Sequence, residues 1–401
     1  MSLLTVDEAL ARILDDVKPL AAELVPLASA DGRTLAADLA ATLTQPPFDA
    51  SAMDGYAVRR CDVAELPTRL RMIGQSRAGE RFLDHVGPRE CVRIFTGAPV
   101  PAGADAIVIQ ENAEPEGASI LIRDGTCDPA HIRPRGGDFK EGDVLLRAGQ
   151  PLNARAILLA AAMGHGAVAV RRKPLVAVLA TGDELVAPGT RPGADQIVSS
   201  NPYGLAALVA AAGGEPRILG IASDTLESLE EKIAAGSGAD VLVTTGGASV
   251  GDHDLVAAAL KRRGLQLDFW KIAMRPGKPM LFGRLDRQRV LALPGNPVSA
   301  LICGRVFLVP LIQALLGAAA RAQTTIRAHL TSPLPENGPR RHYMRATLAR
   351  DADGRATVTP MSSQDSSLMA PLAKSDVLIV REIAAPAIAQ GSEIDVLMID
   401  F

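Results

Sequence analysis

The residue types best suited to chemistry stand together in Thr244-Thr245-Gly246-Gly247-Ala248-Ser249-Val250-Gly251-Asp252-His253-Asp254. An apolar run, Ala239-Asp240-Val241-Leu242-Val243, precedes them and an amphipathic run, Leu255 to Leu260, follows. This order predicts a strand, a glycine turn and a helix start. In an open α/β sheet ligands sit where strand C-termini meet helix N-termini, and glycines without a Cβ let backbone N–H groups close on an anion. Ser249 adds a hydroxyl, whereas Asp252 and Asp254 would repel a phosphate unless a divalent cation lay between them. The segment therefore reads as a phosphate site with Mg²⁺. The plainer alternative is a tight connection in which Gly246, Gly247 and Gly251 serve the turn and Asp252 or Asp254 caps the helix. Neither a G-x-G-x-x-G fingerprint nor a P-loop is present, so dinucleotide and ordinary ATPase chemistry gain no support. His253 is a lone histidine and receives no metal role.

Other segments supply matching groups. Thr181-Gly182-Asp183-Glu184-Leu185 ends a predicted strand, which places two carboxylates at the same sheet edge, suited to hydrated Mg²⁺ or to orienting water. A cap on a short helix is the competing reading. Asp224 follows the run Arg217–Ile221 and adds another acid, although it, Ser223 or Thr225 could cap the next helix. Lys271-Ile272-Ala273-Met274-Arg275-Pro276-Gly277-Lys278-Pro279 concentrates cations in a proline-stiffened loop. Lys271, Arg275 and Lys278 could neutralise an oxyanion there, and a solvated hairpin is the alternative. Pro294-Gly295-Asn296 opens a further strand-to-helix turn with free N–H groups or mere punctuation. Asp54 in Ser51–Ala57 and Thr96 in Ile94–Pro101 are weaker signals, each able to begin a turn. Arg133–Asp138 could be a surface ion pair.

The elements that must hold these groups fall into distinct stretches. Residues 174–320 alternate strand and helix signals: 175–180, 202–212, 217–221, 226–235, 241–245, 255–263, 268–273 and 289–293, then a long helix. Right-handed crossovers make this a central, mostly parallel α/β sheet with its glycine turns along one edge. Residues 45–140 carry short β-like runs broken by Pro and Gly. From 323 onward five runs suggest a second β module. The expected division is a linking α+β domain of 1–44 and 141–172, a β-rich insertion of 45–140, an α/β domain of 173–320 and a C-terminal β domain of 321–401.

With 401 residues, 48% hydrophobic and 22% charged, the chain is long enough for several domains. The formal net charge of −3 excludes a global basic field for nucleic acid or membrane, so any anion site must be local. Cys61, Cys91, Cys127 and Cys303 are scattered without a Cys-x-x-Cys pair, which argues against a zinc ribbon or disulfide framework and fits a reducing compartment. Thr5-Val6-Asp7-Glu8 reads as a capping box ahead of an amphipathic helix, with no basic leader, as expected for a cytoplasmic protein. The apolar tract 298–320 contains Arg305, Pro310 and Gln313, which predicts a buried or interface helix rather than a membrane span.

Taken in order, Ser51–Ala57, Thr96–Gln110, Ile132–Asp138, Thr181–Leu185, Gly246–Asp254, Pro276–Pro279 and Pro294–Ser299 resemble the molybdopterin molybdenumtransferase (MoeA) family, to which the C-terminal domain of gephyrin is related. The resemblance implies an elongated homodimer of four-domain chains, an α/β domain like that of molybdopterin adenylyltransferase, and a cleft shared between subunits. It implies a reaction in which molybdate and adenylylated molybdopterin yield metal-loaded pterin and AMP with Mg²⁺ present. Glu184, Asp224 and Asp254 would then serve Mg²⁺ and hydrolysis, while Ser249 and the Gly246–Gly251 turn hold a phosphate. Lys271, Arg275, Lys278, Arg345 and Ser366 would form the oxyanion or substrate pocket, with Asp54 and Thr96 reaching in from the partner subunit. Possible protein partners are the adenylyltransferase and molybdoenzyme-maturation factors. Two differences from the family stand out: Arg275 replaces a common Lys, and Ser199 replaces an acid. Two other classes compete, a gephyrin-like scaffold without turnover and the adenylyltransferase itself, whose usual Gly-Gly-Thr-Gly turn is absent here.

Overall fold

The computed structural model describes residues 3–124, 127–246, 255–318 and 325–399. Its centre is a six-stranded sheet ordered Glu215–Ala222, Leu175–Thr181, Val241–Thr245, Gln288–Leu293, Leu281–Leu285 and Gln266–Trp270. The first four strands run parallel, and the last two are antiparallel to their neighbours. Strand residues alternate between faces. Val176, Val178, Val241, Val243, Leu291 and Leu293 face one apolar cluster, while Ala177, Leu179, Leu242, Val290 and Ala292 face another. Burial on both sides explains why these strands read as unbroken apolar runs.

The sequence reading missed Leu281–Leu285 and set a strand at 268–273. The strand there is Gln266–Trp270, and it pairs antiparallel with Leu281–Leu285. The hairpin to Gln288–Leu293 turns at Asp286, whose φ of 52° suits a short connection. The long apolar tract is helical from Pro297 to Leu315 and 78% of its most apolar window is buried. It is interrupted by a π-turn, Gly304–Leu308, immediately before Val309–Leu315. The wider turn precedes Pro310, which has no N–H to donate back along the helix.

The capping box at Thr5 forms, with the Thr5 side chain accepting from the Glu8 N–H and Glu8 bonded back to Thr5. Its helix, Val6–Leu14, buries Val6, Ala9 and Ile13 in the α/β core rather than against the linking module in which residues 1–44 were grouped. The Ala273 N–H donates to the Leu4 carbonyl, and Arg341 grips both oxygens of Asp7 at 2.7 Å. An amphipathic helix needs an apolar partner, and the α/β layer supplies it. Only after this helix does the chain join the linking module, where Ala22–Pro26 pairs with Ala167–Arg171 and Leu39–Ala40 with Val144–Leu146.

The inserted sheet runs Ala106–Ile109, Gly55–Val58, Glu90–Ile94, Thr68–Ser76, Ser119–Ile122 and Ala113–Glu116. Near the C-terminus Arg341–Arg350 pairs with both Ala356–Pro360 and Val377–Arg381, and Thr325–Leu330 and Glu393–Met398 complete the ring. A closed barrel leaves no free edge among these strands. The pair Met274–Arg275 adds to this barrel beside Arg341 and His342, so the cation-bearing loop is anchored between the α/β sheet and the barrel.

Candidate active site

A cleft of about 1000 Å³ opens at the C-terminal ends of the parallel strands. Each strand delivers part of its wall: Thr181, Gly182 and Glu184 at the end of Leu175–Thr181, Asp224 after Glu215–Ala222, Gly246 after Val241–Thr245, and Pro294, Gly295 and Asn296 after Gln288–Leu293. Lys271 and Lys278 come from the cation loop, and Ser367 and Met369 come from the barrel. This is the edge at which a parallel sheet leaves helix N-termini open to a ligand.

Gly246 is required by contact with backbone, and Gly182 by its backbone conformation. At Gly246, with φ of 93°, a Cβ would lie 2.5 Å from the Thr181 carbonyl oxygen. At Gly182, with φ of 145°, a Cβ would collide with the Glu184 carboxylate, which folds back over it. The acid pair at 183 and 184 divides its labour. Asp183 accepts the Asp224 N–H at 3.0 Å and fixes that turn, while Glu184 faces the cleft. Asp224 does not cap the following helix, because Thr225 accepts the Ser228 N–H at 3.2 Å. Neither the Glu184 nor the Asp224 carboxylate has a hydrogen bond or ion pair among the described residues.

Gly247, Ser249, Gly251, Asp252, His253 and Asp254 lie outside the described residues. Of the expected metal set, Glu184 and Asp224 therefore line one cleft, and Asp254 falls outside the description. Among the described residues no group of three His, Cys, Asp or Glu side chains could hold a metal. Two unpaired carboxylates still suit Mg²⁺, which keeps several waters and commonly takes one or two carboxylates plus phosphate oxygens.

A smaller cavity of about 350 Å³ adjoins the cleft and shares Lys278, Pro279, Pro294 and Asn296 with it. Arg275, Pro276, Gly277, Arg340, Ser299, Gln364, Asp365 and Ser366 complete its wall. Asn296 donates to the Ser366 hydroxyl at 2.9 Å, and the Val298 N–H donates to the Ser366 carbonyl at 3.1 Å. Asn201 donates to the Gly295 carbonyl at 2.7 Å. The two Ser366 bonds stitch the barrel loop to the turn shared by the two cavities, and the Asn201 bond ties that turn to the helix Asn201–Ala211. The loop itself closes through Lys271 N–H to Met280 and Ile272 N–H to Lys278, with Lys271 at φ of 86°.

Three expected residues stand elsewhere. Arg345 lines neither cavity; it is 1% exposed and donates to the carbonyls of Leu368, Ser363 and Asp365. Its donors are taken up by these carbonyls, and it does not line the pocket in which the family resemblance placed it. Asp54 and Thr96 bond to each other in the inserted domain, the Thr96 N–H and hydroxyl both donating to Asp54 at 2.7 and 2.8 Å. These bonds hold the Asp54 carboxyl below its ordinary value. Within one chain neither residue lines the cleft.

Sequence reasoning passed over Arg340, Ser299 and Gln364, and it noted Ser199 only as a family difference. Ser199 is 4% exposed and lines the cleft beside Asn201. Nothing local marks Arg340, since it stands beside a second arginine in a charged turn. Only the strand pairing of Met274–Arg275 with the barrel brings it to the cavity.

The whole chain matches known relatives. Residues 4–164 match the MoeA N-terminal region (domain I and II), residues 177–314 a probable molybdopterin binding domain, and residues 327–399 the MoeA C-terminal region (domain IV). The molybdopterin molybdenumtransferase of Haemophilus influenzae is 35% identical, with 98% of each chain covered. That of Nostoc is 36% identical over 94% of this chain and 88% of its own. A molybdopterin biosynthesis MoeA protein from Pyrococcus horikoshii superposes with a TM-score of 0.86 at 30% identity, covering 99% of both chains. With the fold, the order of motifs and these full-length matches in agreement, the chain belongs to the MoeA family of molybdopterin molybdenumtransferases, enzymes of molybdenum cofactor biosynthesis.

Proposed function

We propose that this chain transfers molybdenum from molybdate to adenylylated molybdopterin, with Mg²⁺-dependent hydrolysis of the phosphoanhydride and release of AMP, as a cytoplasmic homodimer. The observation that carries the reading is the adjoining pair of cavities: among the described residues one offers unpaired carboxylates, the other unpaired cations, and Lys278 and Asn296 belong to both. Molybdate and a dithiolate repel each other, so bringing them together requires fixed positive charge. Arg275, Lys278 and Arg340 supply it in the smaller cavity. In the larger cleft Glu184 and Asp224 would hold Mg²⁺, which would supply charge neutralisation at the anhydride oxygens. The turn at Gly295–Asn296 would present N–H groups to the phosphates, and Lys271 lines the same space. Water adds to one phosphorus, the bridging P–O bond breaks, and AMP leaves.

Asp54 and Thr96 would complete the cleft from the partner subunit. Their mutual bonding and their distance from this chain's own cavities are consistent with that role. The assay is direct: purified protein is incubated with adenylylated molybdopterin, Mg²⁺ and molybdate, and AMP and pterin-bound metal are measured. Both should appear together. AMP formation without metal on the pterin would overturn the reading, pyrophosphate release from ATP and molybdopterin would favour the adenylyltransferase, and no turnover at all would favour a scaffold.

A further inference from the structure

The inserted sheet brings three chain segments to one corner: Asp54 just before Gly55–Val58, Thr96 after Glu90–Ile94, and Gln110 just after Ala106–Ile109. Gly55–Val58 lies between the other two strands and pairs antiparallel with both. One side chain braces all three. Arg93 stands directly opposite Tyr56 in the register, so the two side chains share a face, and Phe95 follows two residues on. The guanidinium carbon lies 5.0 Å from the centroid of the Tyr56 ring and 5.0 Å from that of Phe95. One arm donates to the Gly55 carbonyl at 3.1 Å and the other to the Gln110 side-chain oxygen at 2.7 Å. The Gln110 N–H in turn donates to the Asp54 carbonyl at 3.1 Å.

Arg93 makes no bond to the Asp54 carboxylate itself. Thr96 gives both its N–H and its hydroxyl to one Asp54 oxygen, and the other oxygen has no hydrogen bond among the described residues. The two Thr96 bonds hold that carboxyl below its ordinary value, and the Arg93 charge adds a smaller pull. The guanidinium therefore holds the neighbours of the pair and leaves the open oxygen alone: Gly55 adjoins Asp54, and Phe95 adjoins Thr96.

Stacking on two rings while forking between two acceptors requires a planar cation, which lysine is not. An acid that acts in another subunit's cleft has to be placed by its own domain, because a displacement of about 1 Å is enough to cost catalysis. We infer that Arg93 is a positioning residue that holds the Asp54–Thr96 pair, through Gly55, Phe95 and Gln110, for action in the partner subunit's cleft. The inference rests on the shared-cleft reading proposed above.

Heterodimers isolated through two different affinity tags test it. With Glu184→Gln in one chain, that chain's own cleft is silenced. The working cleft then takes Glu184 from the other chain and the Asp54–Thr96 pair from the Glu184→Gln chain. Arg93→Lys added to the Glu184→Gln chain should lower AMP release about tenfold, through turnover and not through the half-saturating substrate concentration. The same substitution in the other chain falls on the silenced cleft, so the loss should be confined to the first placement. Equal loss in both placements would show that Arg93 only stabilises the fold. A raised half-saturating concentration at unchanged turnover would make it a substrate contact, and full activity in both placements would leave it no part in the reaction; each of these overturns the inference. Asp54→Ala in the same two placements separates this result from the shared-cleft reading. Loss confined to the Glu184→Gln chain supports that reading whatever Arg93 does, and any other pattern overturns the reading and the inference with it. If Arg93→Lys does not fold, Gln110→Ala, which removes one acceptor of the fork, takes its place in both heterodimers.

Discussion

At the scale of single residues, the cleft separates acids that do structural work from acids left open. Asp183 is spent on the Asp224 N–H, whereas Glu184 has no hydrogen bond or ion pair among the described residues. Glu184→Gln should therefore cut Mg²⁺-dependent AMP release by about 10²-fold or more at an unchanged melting temperature, while Asp183→Asn should lose less. Equal losses in steady-state AMP assays would argue against the division. Gly182→Ala tests the collision with Glu184 from the other side: positive-φ strain of about 1–3 kcal/mol and a displaced carboxylate should lower both stability and turnover. The two loop cations also separate. Lys278 lines both cavities and Arg275 only the smaller one, so Arg275→Ala should raise the half-saturating molybdate concentration with little effect on nucleotide binding, and Lys278→Ala should move both.

At the scale of elements, the strand-to-helix turns were legible because hydrophobic run, glycine and cap follow one another within a few residues. Val241–Thr245 and Leu226–Ala235 have the bounds their patterns predict. Leu281–Leu285 was not legible, since a short apolar run after prolines carries no period that distinguishes strand from loop. The N-terminal helix was visible as a capping box, yet its destination was not. Its anchoring by Arg341 holds the Asp7 carboxyl below its ordinary 3.8, chiefly through that side-chain hydrogen bond, with the coulombic attraction smaller. The folded chain thus favours the ionised acid, so the contribution is complete above the ordinary carboxylate range and fades as pH falls through and below it. Melting temperatures measured from pH 6 to pH 3 should fall less steeply in Asp7→Asn than in wild type; parallel curves would exclude this linkage.

At the scale of the whole molecule, the proposed shared cleft makes a complementation test possible. Asp54→Ala and Glu184→Gln chains, each inactive alone, should regain about a quarter of wild-type activity when mixed and reassociated, because half of randomly assorted dimers carry one intact cleft. No recovery in the mixed assay would place Asp54 outside the partner's site. The sequence by itself determined the βαβ series and named several residues that line the cleft, among them Glu184, Asp224, Lys271 and Lys278, because these depend on local periodicity and on residue types that only a turn or a charged site tolerates. Only the tertiary structure decided which cations have partners among the described residues. Arg340, Arg341 and Arg345 are alike in sequence, and their difference arises from strand pairing and carbonyl contacts that join positions far apart in the chain.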